Sequence, residues 1–111
     1  MSQQVSFRGA RGRAIAFNRV DKDGAWAREP GVAVFAASDS YGWRVIRVVE
    51  VTGRVHDVRP FCALADAERF GAEAVFFAGE TAAAARKAIV GDLEAGLNPV
   101  CAGDADYALA A

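Results

Sequence analysis

The segment from Pro30 to Val51, PGVAVFAASDSYGWRVIRVVEV, constrains the fold of this chain most strongly. A compact apolar run at 31–37 and a β-branched run at 43–51 are separated by the polar loop SDSYG. Side chains alternate between the two faces of a strand, and both faces of 43–51 are largely apolar. We therefore expect two strands, the second of them central in its sheet rather than at an edge.

The flanking sequence adds one strand on the N-terminal side and two helices on the C-terminal side. RAIAFNRV at 13–20 predicts a strand that ends in the turn DKDG. Pro60 opens a helix that Gly71 ends, and a strand follows at 72–79. The clearest helix spans 80–96, where Gly91 costs about 1 kcal/mol unless close packing requires it. The order β-β-β-α-β-α predicts a small α+β fold with a mostly antiparallel central sheet, a meander of the first three strands, flanked by helices.

Composition indicates one domain. The chain has 111 residues, of which 53% are hydrophobic, which is enough for a single core. We expect this core at about 13–100, with a basic N-terminal segment at 1–12 and a C-terminal tail at 101–111. There is no run of about 20 apolar residues and no apolar signal core at the N-terminus, so we expect no membrane contact and a cytoplasmic location.

The charge is small overall but unevenly distributed. A net charge of −1 argues against a strongly electrostatic nucleic-acid binder. Residues 1–28 nevertheless carry six basic and two acidic side chains. This basic segment either contacts phosphates or protects the edge of a strand by its charge.

No convergent catalytic set is visible in the sequence. His56 and Asp57 are adjacent, so on an extended segment they point to opposite sides. With one His, and with Cys62 and Cys101 far apart, we expect no metal site, no disulfide framework and no cofactor. The aromatic side chains that flank loops either cap the core or bind a ligand; they are Trp26, Tyr41 and Trp43.

The chain resembles the GIY-YIG nuclease domain, particularly the small stand-alone bacterial type. The resemblance runs through AFNRVDKDGAW, PGVAVFAA and GWRVIRVVEV, and ends in ARKAIVGDLEAGLNP, which is similar to the closing helix and Leu-Asn-Pro exit of the family. It covers roughly residues 14–100. It implies a GIY-YIG-like fold and a metal-dependent nuclease ancestry.

The catalytic positions that the resemblance implies are replaced in this chain. The first family tyrosine falls on Ala33 and the second on Arg47. The helix arginine falls on Asp57, although a local shift to Arg54 or Arg59 would restore a guanidinium. The metal-binding glutamate falls on Val90. Valine cannot ligate a metal and alanine cannot move a proton, so the resemblance implies a catalytically inactive domain.

Three hypotheses for function follow. The first is weak nucleic-acid binding through arginines, with these candidates: Arg8, Arg11, Arg13, Arg44, Arg47, Arg54 and Arg59. The second, which we favour slightly, is protein interaction or dimerisation at an apolar groove lined by Ala33, Val49 and Val90, regulating a DNA-related process. The alternative is a metal-dependent endonuclease with relocated residues, using Glu50, His56 and Asp57.

Overall fold

Five strands form one antiparallel sheet in the computed structural model of the chain, which describes residues 3–101. The fold is α+β, as the sequence predicts. A short 3-10 helix at Ala25–Arg28 joins the second and third strands. The strands are β1 (Gln4–Arg8), β2 (Ala14–Val20), β3 (Gly31–Asp39), β4 (Gly42–Val51) and β5 (Ala74–Gly79), and the helices are α1 (Arg59–Arg69) and α2 (Ala83–Leu97).

The strand order is β1-β2-β5-β3-β4, so the predicted meander of the first three strands is wrong. β5 enters between β2 and β3 and pairs antiparallel with both. Its side chains explain this place, since Val75 and Phe77 are buried on one face of the sheet and Ala74 and Phe76 on the other. A strand that is apolar on both faces gains most from a central position.

β4 lies at an edge of the sheet, so its predicted central position is also wrong. Its two apolar faces arise because helices cover both sides of the sheet. Ile46 and Val49 pack in the core under α1, while Val45 and Val48 pack in the core under α2. The outer side of β4 is partly covered as well, since the Cys101 N–H donates to the Ile46 carbonyl at 2.8 Å.

The N-terminal segment belongs to the fold, contrary to the predicted core boundary at residue 13. β1 pairs with β2 over its whole length. Phe7 is 5% exposed, and its ring centroid lies 5.5 Å from that of Phe17 and 5.6 Å from that of Phe76. Residues 4–8 therefore form an edge strand with an anchor in the core. Most of the predicted tail, residues 102–111, lies outside the described residues.

The two predicted helices are present, with α2 beginning three residues later than expected. Glu80 lies before α2 and accepts a hydrogen bond from the Ala82 N–H at 3.1 Å. Asn98, in the left-handed conformation with φ of 48°, ends it. Between residues 3 and 101, neither helix has the length and apolarity needed to cross a membrane.

Candidate interaction surface

The outward side of α1 and the loop before it expose large apolar side chains. Val55 is 77% exposed, Val58 63% and Phe61 44%. Cys62 and Ala65 lie on the same outward side and are also exposed. The opposite side of α1 is buried against the sheet through Ala63, Leu64 and Ala67. We call the exposed set, Val55, Val58, Phe61, Cys62 and Ala65, the α1 patch.

Hydrogen bonds of Asp57 fix the loop that presents this patch. One carboxylate oxygen accepts from the Arg59 N–H at 3.2 Å and from its Nε at 2.8 Å. The other accepts from Arg59 Nη2 at 2.9 Å and from the Thr52 hydroxyl at 2.8 Å. These bonds, above all those from the Arg59 guanidinium, hold the pKa of Asp57 well below its usual range. The loop is thus tied at both ends by one carboxylate.

A second contact anchors the patch at Phe61. Its ring lies 5.5 Å from the ring of Trp26, which belongs to the core under α1. The Trp26 indole N–H in turn donates to the Lys22 carbonyl at 3.0 Å. Phe61 is therefore half supported by the core and half open to solvent.

The border of the α1 patch is basic. Arg54 is exposed, and its side chain makes no hydrogen bond or ion pair with residues 3–101. Arg59 keeps a 71% exposed side chain although it pairs with Asp57. The acids of α1 are already paired, Glu68 with Lys22 at 3.1 Å and Asp66 with Arg69 at 3.8 Å. The surface therefore combines apolar area with cations at the end where α1 begins.

The seven arginine candidates do not form one groove. Arg8, Arg11 and Arg13 lie around the turn between β1 and β2. Arg44 lies near the start of β4, whereas Arg54 and Arg59 follow its end. Arg47 is 2% exposed, so its side chain does not reach an external phosphate.

The four positions that the resemblance assigns to catalysis are also separated. Ala33 is buried in the core under α1, and Val90 packs against the core under α2, on the other face of the sheet. Arg47 is opposite Phe35 in the register, and Asp57 lies in the loop before α1. The expected apolar groove of Ala33, Val49 and Val90 is therefore not formed. Spacing along the chain does not reveal which face of a sheet a helix covers.

Glu50, proposed as a relocated catalytic acid, is engaged by a buried arginine. Arg86 is 7% exposed, and its Nε donates to Glu50 at 2.9 Å. Its Nη1 donates to the carbonyls of Glu80 and Thr81 at 3.2 and 2.8 Å. The sequence does not reveal this pair, because Arg86 and Glu50 lie 36 residues apart and no local signal marks an arginine of α2 as buried. The described residues contain no group of three or more His, Cys, Asp or Glu that could hold a metal ion.

The three loop-flanking aromatic residues have different environments. Trp26 is buried in the core. Trp43 is partly buried, with Phe76 5.1 Å away and the Arg19 guanidinium 5.2 Å from its ring. Tyr41 is exposed at the tip of the β3–β4 hairpin.

A shallow cavity of about 490 Å³ beside the 3-10 helix is lined by Arg19, Val20, Asp21, Gly24, Ala25, Trp26, Glu29 and Phe77.

Comparison with known proteins does not place the chain in a family. No protein-family model, no curated protein and no solved structure matches the chain. The surfaces of the molecule itself are therefore the basis for inferring its function.

Proposed function

We propose that the chain is a non-enzymatic binding module that recognises a protein partner through the α1 patch. The observation that carries this proposal is the exposure of Val55, Val58 and Phe61 on one firmly held segment. Exposed apolar patches with polar borders mark interaction sites on soluble proteins. Because Arg54 and Arg59 border the patch, the partner that fits it is an apolar segment flanked by Asp or Glu.

A non-enzymatic role agrees with the ion pairs that the two candidate catalytic acids form. Glu50 binds Arg86 and Asp57 binds Arg59, so neither carboxylate is available without breaking an ion pair. The link to a DNA-related process depends on the resemblance to the GIY-YIG nuclease domain.

A displayed library of random peptides tests the proposed recognition. Wild-type protein should enrich peptides that carry large apolar residues flanked by acids. Their affinity, measured by fluorescence polarisation, should fall at least tenfold for the double variant Val55→Ser/Val58→Ser, since full burial of a valine side chain contributes roughly 1.5–3 kcal/mol. Tyr41→Ser, which changes an exposed residue at the β3–β4 hairpin, is the matched control. Enrichment that is equal on the double variant would refute the α1 patch.

Weak nucleic-acid binding is a second candidate, and the grouping of Arg8, Arg11 and Arg13 around one turn favours it. A gel-shift assay at low salt should show binding that weakens steeply as salt is raised. Arg11→Gln/Arg13→Gln should remove most of it. Absence of binding at low salt, or binding without salt dependence, would eliminate this candidate.

The alternative function, a metal-dependent endonuclease with relocated catalytic residues, predicts cleavage of plasmid DNA in the presence of Mg²⁺. Such cleavage should disappear in Glu50→Ala and persist in Glu94→Ala. Intact plasmid after prolonged incubation with the wild-type protein would reject it.

A further inference from the structure

The outer edge of β1 carries a complete row of backbone groups that point away from the sheet. The Arg19 N–H donates to the Gln3 carbonyl at 2.7 Å, and the Gly9 N–H donates to the Arg13 carbonyl at 3.2 Å. Hydrogen-bonded and non-hydrogen-bonded pairs alternate in an antiparallel ladder. Odd-numbered residues therefore bond to β2, and the N–H and C=O groups of Gln4, Ser6 and Arg8 point outward.

The two edges of the sheet differ in how they are protected. β4 has a register shift opposite Phe35 and Ala36 and accepts the hydrogen bond from Cys101. β1 has a continuous register with β2, no proline and no bulge. Its single charge, on Arg8, lies at the end of the strand. Bulges, prolines and central charges are the usual means of preventing edge pairing, and β1 lacks them.

We propose that two copies of the chain pair antiparallel through β1, with the two-fold axis at Ser6. In this register Gln4 faces Arg8 of the second copy, and Ser6 faces Ser6. All six outward donors and acceptors of each strand segment are then paired, whereas a shift by two residues leaves groups unpaired. The register also places a neutral amide, not a second cation, opposite each Arg8. An isologous contact of this kind closes as a dimer.

The side chains of β1 suit a second copy on both faces. On the α2 side, Val5 would lie opposite Phe7 of the second copy and extend the apolar surface of that core, against which Val5 already packs. On the other side, Gln4, Ser6 and Arg8 are exposed and polar. The Arg8 guanidinium uses one N–H on the Gly12 carbonyl at 2.8 Å and has others for the Gln4 amide. This surface is separate from the α1 patch.

Disulfide trapping tests the register. In a Cys62→Ser/Cys101→Ser background, Ser6→Cys should form an intermolecular disulfide, since a hydrogen-bonded pair places the two Cα atoms about 5.5 Å apart. Gln4→Cys is the matched control, because two copies of residue 4 would be about 13 Å apart along the strands. Equal crosslinking of both variants, or none of Ser6→Cys, overturns the proposal.

Charge reversal tests the same contact without a covalent bond. Sedimentation equilibrium should show a dimer of the 11.7 kDa chain. Gln4→Arg should raise the dimer dissociation constant at least tenfold by facing Arg8, and Gln4→Arg/Arg8→Glu should restore it. Circular dichroism shows that each variant is folded. A monomer at every concentration, or a dimer unaffected by Gln4→Arg, contradicts the proposal. Neither result bears on the α1 patch, which the peptide library tests separately.

Discussion

At the scale of single residues, the Asp57 carboxylate holds the loop between β4 and α1 in place, because both of its oxygens accept hydrogen bonds. The resemblance places the catalytic arginine of the family at position 57. In the structure, the Asp57 carboxylate instead accepts hydrogen bonds from Thr52 and Arg59 and so links these two residues. The sequence shows an acid two residues before the helix, which is a reasonable signal for the end of a loop. It does not show that Thr52, five residues earlier, folds back to the same carboxylate.

Asp57→Asn should lower the free energy of unfolding at pH 7 by about 1–2 kcal/mol, because it removes a charge-assisted hydrogen-bond network. The pKa of Asp57 is depressed in the folded state, so its contribution is complete above the unfolded pKa of about 3.9 and is lost as the pH falls below it. Urea unfolding should therefore show a smaller difference between variant and wild type at pH 3 than at pH 7.

Asp23→Asn is the control for this measurement, since Asp23 is exposed and has no ion pair with residues 3–101. Its difference from wild type should be near zero at both pH values. A difference for Asp57→Asn that stays constant between pH 7 and pH 3 would show that its charge is not the cause.

At the scale of elements, the sequence predicts which segments are strands and helices better than it predicts their neighbours. Proline, glycine and apolar periodicity mark the elements locally. The insertion of β5 between β2 and β3 depends on how well Phe76 and Phe77 fill the two cores, which is a property of the assembled sheet. β1 was missed because its five residues run into the arginine- and glycine-rich turn.

Two glycines of α2 also show that the local sequence does not reveal the packing between elements. They supply a matched pair of variants. A Cβ at Gly91 meets nothing within 4 Å, so close packing does not explain this glycine. A Cβ at Gly96 would lie 2.4 Å from the Ala10 nitrogen and 2.5 Å from the Gly9 carbonyl carbon. The close approach that the sequence suggested for Gly91 is instead found at Gly96.

Gly91→Ala should raise the free energy of unfolding by about 0.5–1 kcal/mol, because alanine reduces the entropy lost in forming a helix. Gly96→Ala should lower it by roughly 1–3 kcal/mol, because the turn between β1 and β2 must move away. Urea unfolding of both variants measures the difference. Shifts of the same sign would mean that α2 does not pack against this turn.

At the scale of the whole molecule, the sheet divides the interior into two cores. Ala33 and Val90 lie on opposite sides of it, which is why the groove implied by the resemblance does not exist. The sequence predicts that both faces of the strand at 43–51, which is β4, are buried. It does not predict which helix covers which face, because the lengths of the connections allow either arrangement.

The dependence of the α2-side core on β1 gives a prediction for the whole fold. Phe7 joins Phe17 and Phe76 through ring contacts, and Trp43 continues this aromatic row from Phe76. In urea unfolding, Phe7→Ala should lower the free energy of unfolding by about 3–5 kcal/mol, the cost of a large cavity in a core. Such a loss is a large share of the stability of a small domain.

Removal of residues 1–8 should have a still larger effect, because it also strips β2 of its outer partner and exposes Phe17. Circular dichroism and tryptophan fluorescence of the truncated chain should report an unfolded or strongly destabilised protein, while Tyr41→Ala, at an exposed hairpin tip, should unfold like wild type. If the truncated chain were as stable as the full one, the core would begin at residue 13, as the sequence predicts. The edge that could pair with a second copy would then be β2, and the proposed dimer would have no structural basis.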